Sequence, residues 1–428
     1  MDKDILNLTE KTIDDTSLYS KEFFPFKPIT GTDYNSPGVI QINIENQDQY
    51  FLPHESFLQI DVSFLKANNT RFAREQMVTL ANNGILHCFS NIKYHLGGNE
   101  IESVNYPGHA TGMMGMLKYD KSFSGLGQCW APDTTVAAAN ANLGFKARRE
   151  FIFNGGNDNI GDFSVHIDLE HIFGFAEDYD KVVYGFRHSL QLNRKANDND
   201  VIFRAGGADN GKIVIKKITW WMPRVQPSVV EGKKLLDINE SKTPYDCVFR
   251  NRQCSTIALP LAARSYSWSL GVKTETPRYV VIGFQIGKSN NQELNAALFD
   301  HCEVTNMKVR VNSTEYPPID VNSDFVKNCV AGWHRRMLDF KRSFYGVDKM
   351  VSCSCVDAKD FKTLYPLYVF DLTRQRETTN NSTISDIAVD MTFGLADGIG
   401  AGTNAFAFVI SDRKIKIQGD GKRSAIVY

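Results

Sequence analysis

The sequence lacks an excess of either charge. Its 48 lysines and arginines nearly balance its 49 aspartates and glutamates, which leaves a formal net charge of −1. A protein that binds nucleic acid through the phosphates normally carries a clear basic surplus, and the first 32 residues contain no cluster of lysine or arginine either. We therefore expect no direct sequence-specific binding of nucleic acid.

Long hydrophobic runs are also missing. No stretch of 18 or more apolar residues occurs, so we expect no membrane-spanning segment. The N-terminal sequence MDKDILNLTEKTIDD is acidic and lacks the apolar centre of a secretory signal. Eight cysteines in 428 residues, without such a signal, predict reduced thiols and synthesis in the cytosol.

Recognisable motifs for catalysis or cofactor binding are absent as well. Neither a G-x-S-x-G elbow nor an H-E-x-x-H helix occurs, and the glycine-rich GIGAG at 398–402 is not placed between a strand and a helix. The carboxylates with acid/base potential are in a loop-like region, where solvated side chains are far commoner than catalytic ones: Asp168, Glu170, Glu177 and Asp178. We predict no enzymatic activity and no cofactor.

Histidine and cysteine are adjacent at two places, and two cysteines lie close together at a third. His87-Cys88 and His301-Cys302 would each need two further ligands at fixed spacing to bind zinc, and the sequence does not provide them. The C-x-C at Cys353 and Cys355 is a weak signal on its own. We predict structural thiols and no metal site.

Strand patterns dominate what is present. Residues 57–66, 265–272 and 387–393 alternate apolar with polar side chains, which is typical of half-buried strands in antiparallel sheets. In KIVIKKITWW the apolar phase slips by one residue at Lys216-Lys217, which predicts a β-bulge. Loops rich in Gly, Asn and Asp separate the strands. The pattern predicts an all-β sandwich or barrel with few helices.

One helix is strongly indicated, from about Asn322 to Phe344. Its apolar residues recur every three or four positions, Asn322 or Ser323 offers an N-cap, and Gly346 follows as a C-terminal cap. Its last residues, MLDFKRSFYG at 337–346, repeat MLKYDKSFSG at 116–125, with five of ten positions identical. We predict that both phrases end a helix at a glycine.

The repeat extends beyond this phrase. NIKYHLGGNEI at 91–101 resembles NMKVRVNSTEY at 306–316, again about half a chain later, so two landmarks occur in the same order. This predicts tandem duplication, with equivalent structural core residues in the two copies. These residues are Met116, Phe123 and Gly125 in the first copy and Met337, Phe344 and Gly346 in the second. The proline-rich segment between the halves reads as a linker.

Two adjacent tryptophans, Trp220 and Trp221, precede that linker. Neighbouring residues of a strand face opposite sides of the sheet, so one ring should enter the core. The other must meet another sheet, domain or chain. Both are therefore candidate interface residues, with a contact between the two halves as the equal alternative.

Several phrases resemble the double jelly-roll major capsid proteins of double-stranded DNA viruses, the hexon-like Polinton, adintovirus and virophage lineage. They are LPHESFLQIDVSF, HIFGFAEDYDKVVYG, ITWWMPRV, VKTETPRYVVIGFQ and ALFDHCEVTNMKVRVNSTEYP, which are spread over most of 38–320. The resemblance implies two tandem eight-stranded antiparallel jelly rolls with a few short helices. The expected boundaries are an N-terminal arm at 1–35, jelly rolls at 36–225 and 245–420, a linker at 226–244 and a C-terminal tail at 421–428.

The resemblance also implies a function. It predicts a major capsid protein that forms pseudo-hexameric homotrimers, tiles an icosahedral shell, meets penton or minor capsid proteins and resides in the virion. The alternative from the residues is a tandem β-sandwich that binds glycans or a receptor, which should carry exposed aromatic residues in each half. A β-sandwich hydrolase would need a converging acid/base pair, which the sequence does not indicate.

Overall fold

The computed structural model describes residues 17–29, 31, 33–120, 123, 125–154, 159–272, 276–347, 356–374, 386–419 and 424–427. The strands of the first half are β1 Leu18–Phe26, β2 Gly38–Ile44, β3 Tyr50–Phe51, β4 Phe57–Lys66, β5 Val78–Leu80, β6 Phe89–Leu96, β7 Asn99–Asn105, β8 Asp162–Asp168, β9 Val183–Tyr184, β10 His188–Arg194, β11 Ile202–Arg204 and β12 Gly211–Pro227. Those of the second half are β13 Tyr245–Ala258, β14 Ser265–Ser269, β15 Thr276–Ile286, β16 Val304–Val311, β17 Thr314–Tyr316, β18 Tyr368–Asp371, β19 Ile387–Phe393, β20 Thr403–Gly419 and β21 Ser424–Val427.

Helices are short and connect the strands. The α-helices are α1 Pro107–Lys118, α2 Leu143–Phe153, α3 Leu169–Ile172, α4 Gly174–Asp178, α5 Val229–Glu240, α6 Ala331–Tyr345 and α7 Ala358–Thr363. Single 3₁₀ turns occur at Pro53–Glu55, Gly84–Cys88 and Leu126–Gln128. No helix of the described residues has the length and apolarity needed to cross a membrane.

Each half contains two main antiparallel sheets whose shared strands have the same order; the first half adds the short strands β3 and β9 and a two-stranded sheet of β5 and β11. In the first half one sheet runs β8-β4-β12-β1 and the other β2-β10-β6-β7. In the second half the sheets run β18-β15-β20-β13 and β14-β19-β16-β17. If the eight strands named for each half are numbered in chain order, both halves read 6-3-8-1 and 2-7-4-5. Two eight-stranded jelly rolls in tandem are therefore confirmed.

The jelly rolls begin and end outside the boundaries expected from the sequence. β1 lies in the predicted N-terminal arm, yet it pairs with the end of β12 and is the first strand of the first jelly roll. Its sequence LYSKEFFPF lacks the alternation of apolar and polar residues that would indicate a strand, because β1 lies at the edge of the sheet and most of its residues are exposed. β21 lies in the predicted tail and pairs with β20.

Local predictions can be compared with the structure at three further places. The bulge is confirmed, because the register of β12 against β4 slips between Ile215 and Lys217. The expected linker contains α5, whose N-cap is Ser228; its hydroxyl accepts a hydrogen bond from the backbone N–H of Glu231 at 3.4 Å. The loop at 398–402 connects β19 to β20, so a strand and not a helix follows it.

The predicted helix of the second half starts later than expected. α6 begins at Ala331, and Ser323 is not its cap. The buried Ser323 hydroxyl instead donates to the carbonyl of Val304 at 2.5 Å and accepts from Trp333 Nε1 at 3.0 Å. The polar group that suggested a helix cap therefore fixes a loop against a strand. Gly346 is confirmed as the C-terminal cap, with φ of +66° and its N–H bonded to the carbonyl of Arg342.

The matching prediction for the first copy is wrong. α1 ends at Lys118, and Gly125 has φ of −109°, so it is not a left-handed helix cap. The chain leaves the helix at Tyr119, whose ring stacks on Phe123 at 3.8 Å between centroids and packs edge-on against Trp130. Aromatic packing thus ends the helix about two turns before the glycine.

Candidate assembly surfaces

The two jelly rolls meet along β13, the first strand of the second half, which lies beside β7 and α4 of the first half. Glu102 on β7 is fully buried there and accepts three backbone N–H groups, from Gly174 at 3.1 Å, Phe175 at 2.9 Å and Arg252 at 2.8 Å. The third of these bonds crosses between the halves. Gly174 is required, since a Cβ there would lie 1.7 Å from the carbonyl oxygen of Arg250.

Two arginines of β13 anchor this joint. The buried Arg252 guanidinium forms an ion pair with Glu177 and donates to the carbonyls of Glu170 at 3.1 Å and His171 at 2.9 Å. Arg250 forms a two-pronged ion pair with Asp178 through its Nε and Nη2 groups. Of the four carboxylates considered for acid/base chemistry, Glu177 and Asp178 are thus partners of these arginines. The Glu170 carboxylate lies 3.5 Å from Lys118 Nζ, and the Asp168 carboxylate accepts from Gln128 at 2.8 Å.

Two buried carboxyl groups of the joint have pKa values that are shifted in opposite directions. Burial raises the pKa of Glu102 to about 7, against the opposing charge of Arg252 and the three N–H donors. Burial also works against ionisation of Glu177, but the charges of Arg252 and Lys118 outweigh it and lower its pKa to about 2. Lys118 Nζ lies 2.9 Å from Glu177 Oε1, and the Tyr345 hydroxyl donates to the same atom at 2.8 Å.

Arg250 also ties the joint to α6. Its guanidinium lies 3.6 Å from the centre of the Phe344 ring and donates to the Phe344 carbonyl at 3.0 Å. Phe344 and Met337 are buried on this helix, and Met116 is buried on α1. Phe123 is half-buried beyond the end of α1. α1 follows the hairpin β6-β7 and α6 follows the hairpin β16-β17, so the two helices have the same place in the strand order. The equivalence of Met116 with Met337 and of Phe123 with Phe344 stays a prediction.

The two tryptophans face opposite sides of the sheet, as strand geometry requires. Trp220 is fully buried, and its ring meets the Tyr94 ring edge-on at 6.1 Å between centroids, so it belongs to the core and not to an interface. Trp221 is half-buried on the outer face, stacks on Phe57 at 6.2 Å and donates to Gln59 at 2.9 Å. With Phe23, which is 44% exposed, these two rings form what we call the aromatic patch.

The remaining candidate residues are structural or lie outside the described part. His87 and His109 pack at 4.6 Å, and burial lowers the pKa of both. Cys88 and Cys302 are buried, which raises each thiol pKa to about 12. In the part of the chain that the structure describes, no three His, Cys, Asp or Glu side chains form a metal-sized group. Cys353 and Cys355 fall outside that part.

Sequence reasoning missed Glu102, Arg250 and Arg252. A signal was present, because the two arginines lie in a strand that also carries the buried residues Phe249 and Cys254. A charged side chain in such a strand needs a partner. Nothing local identifies that partner, however, since Glu177 is 75 positions before Arg252 and Asp178 is 72 positions before Arg250.

Comparison with known proteins agrees with this architecture. A family model described as a double jelly roll-like domain matches residues 78–415. No curated protein matches the sequence. Among solved structures, a chain of the PBCV-1 virus capsid shares 8% identity at a TM-score of 0.60, with 98% of this chain and 99% of that one covered.

Two further solved structures are similar over nearly their whole length. The mavirus major capsid protein shares 10% identity at a TM-score of 0.54, covering 100% of this chain and 93% of that one. The Faustovirus major capsid protein shares 7% identity at a TM-score of 0.54, covering 96% and 92%. At such low identity the likeness establishes the shared fold.

Proposed function

Because the chain belongs to the double jelly roll-like family, we propose that it is the major capsid protein of a double-stranded DNA virus or virus-like element. In this role it has no catalytic activity. It is made in the host cytosol and resides in the virion, where it forms a shell with copies of itself and with penton or minor capsid proteins. The solved structures that share its fold are themselves viral capsid proteins, which does not favour the glycan-binding alternative.

One observation carries the proposal beyond the fold. The joint between the halves is heterologous, because it joins the β7 edge of the first jelly roll to the β13 edge of the second. The counterpart of β7 in the second jelly roll is β17, and the counterpart of β13 in the first is β1. The two jelly rolls have the same strand order, so each has both edges. Among the described residues, the β1 edge of the first jelly roll and the β17 edge of the second are not used in this joint.

A heterologous contact that repeats between copies either closes into a ring or grows into a filament. If each contact turns by one sixth of a circle, three chains of two jelly rolls close into a ring with a six-fold outline. We therefore propose a homotrimer with the aromatic patch, on the sheet that contains β1, at the contact between chains. Trp221 is its central residue because its ring is large, apolar and half-exposed.

Native mass measurement of the purified full-length protein tests this. A species of three times 48.2 kDa is expected, and negative-stain images should show six-lobed particles or shells. A monomer at every concentration, with no particles in the images, would contradict both the trimer and the capsid function.

A further inference from the structure

A groove of about 960 Å³ opens beside α6 of the second jelly roll. One wall is the loop at 317–321, another is the helix from Gly332 to Ser343, and the floor includes β18 and the residues after it. The volume lies within the range of ligand-binding clefts, about 300–1,000 Å³. Ile319 lies on its rim with 79% of its surface exposed.

The groove is dominated by arginine. It is lined by four, Arg335, Arg336, Arg342 and Arg374, and by three aspartates, Asp320, Asp339 and Asp371. Two of the arginines share one carboxylate, since Arg335 and Arg342 lie 2.9 Å and 3.5 Å from Asp339. Asp320 is bound by Lys308 at 3.0 Å. We call this surface the arginine groove.

Two arginines of the groove have no carboxylate within ion-pair distance among the described residues: Arg336 and Arg374. Arg374 is exposed, whereas Arg336 is half-buried with its guanidinium 5.7 Å from the centre of the Trp333 ring. Burial lowers the pKa of Arg336, whose guanidinium is partly desolvated and has no counter-ion among the described residues. An anionic group placed in the groove would restore that balance.

The equivalent place in the first jelly roll is covered by the second. His109 on α1 stacks on Phe406 at 4.1 Å between ring centroids and its Nε2 lies 3.2 Å from Gln285 Oε1, both in the second half. α6 instead leaves Ala331, Gly332 and Arg335 exposed. In the proposed trimer, the equivalent cover for these three residues is the neighbouring copy.

The neighbour has an acidic segment at the right position. In the joint, α1 is covered by a sheet whose first strand is β13, and the counterpart of β13 in the first jelly roll is β1. The sixteen residues before Ser17 directly precede β1, and they contain five acids, Asp2, Asp4, Glu10, Asp14 and Asp15, against two lysines. Sixteen extended residues span up to about 50 Å. They also include Ile5, Leu6 and Leu8, which suit an apolar rim.

We propose that the arginine groove of one copy binds the acidic N-terminal segment, residues 2–15, of a neighbouring copy. The inference rests on the proposed trimer, because the trimer places β1 of one chain beside α6 of the next. Carboxylates of the segment pair with Arg336 and Arg374, and its leucines and isoleucine contact Ile319. The segment thereby locks a contact that the folded surfaces have already formed.

Photo-crosslinking in the full-length protein tests this directly. Benzoylphenylalanine at position 8, in place of Leu8, should yield a covalent two-chain product on a denaturing gel, with the crosslink mapped by mass spectrometry to the groove. The Arg336→Glu/Arg374→Glu variant should lower the yield about tenfold, as expected for two lost ion pairs together with two new repulsions. Arg374→Glu alone, at an exposed site, should lower it in part without affecting folding.

The matched control reverses two exposed lysines outside the groove, Lys233→Glu/Lys359→Glu, and should leave the yield unchanged. Native mass is measured on the same samples. An unchanged yield in both arginine variants, a crosslink within one chain, or a crosslink mapped elsewhere overturns the docking, while a trimeric mass leaves the capsid proposal standing. A monomeric mass of the unmodified protein overturns the trimer itself.

Discussion

Replacing Arg252 by methionine would remove the central cation of the joint while keeping most of its side-chain volume. The guanidinium is 2% exposed, and its loss leaves the carbonyls of Glu170 and His171 without this donor. Breaking a buried ion pair typically costs about 3–5 kcal/mol. Because Glu177 keeps Lys118 and Tyr345 as partners, we expect the lower end, about 3 kcal/mol of unfolding free energy.

Denaturant unfolding of the full-length protein measures this, at one fixed protein concentration because oligomers are stabilised by mass action. Lys146→Met is the matched control: Lys146 forms an exposed i,i+4 pair with Glu150 at 3.8 Å, and its loss should cost about 0.3 kcal/mol. Arg250→Met should fall between the two, since the Arg250 side chain is 27% exposed. A cost below about 1 kcal/mol for Arg252→Met, or one equal to the control, would refute the view that this ion pair holds the halves together.

Three further outcomes are expected. Glu102→Gln should gain stability relative to the unmodified protein as pH rises from about 4.5 to about 7. Because the pKa of Glu102 is higher in the folded than in the unfolded state, the unmodified protein loses stability over that window, and the glutamine variant does not. A pH-independent difference in unfolding free energy would contradict this. Gly174→Ala should separate α4 from β13, since its Cβ would overlap the carbonyl of Arg250, and should lower the unfolding temperature more than Gly232→Ala in the exposed helix α5. Trp221→Glu should shift native mass from trimer to monomer with unchanged circular dichroism, and a persisting trimer would remove Trp221 from the interface.

The repeat phrase shows how far local sequence carries the fold. The alternation of apolar residues depends only on which side chains face the core, so strands such as β4, β14 and β19 were visible in the sequence. Gly346 was equally readable because a left-handed backbone favours glycine. The same reasoning failed at Gly125, where packing among distant aromatic rings, including Trp130, decided the end of the helix.

By itself, the sequence determined the duplication, the all-β class and the absence of recognisable catalytic motifs, because periodicity and repetition are properties of neighbouring residues. Only the tertiary structure decided that β1 belongs to the first jelly roll, which strands share a sheet and which charges meet. Glu177 and Arg252 are 75 positions apart and become partners only when α4 and β13 are brought side by side. The surfaces through which this chain is proposed to assemble depend on that long-range pairing, since a buried charge is stable only where the fold delivers its counter-charge.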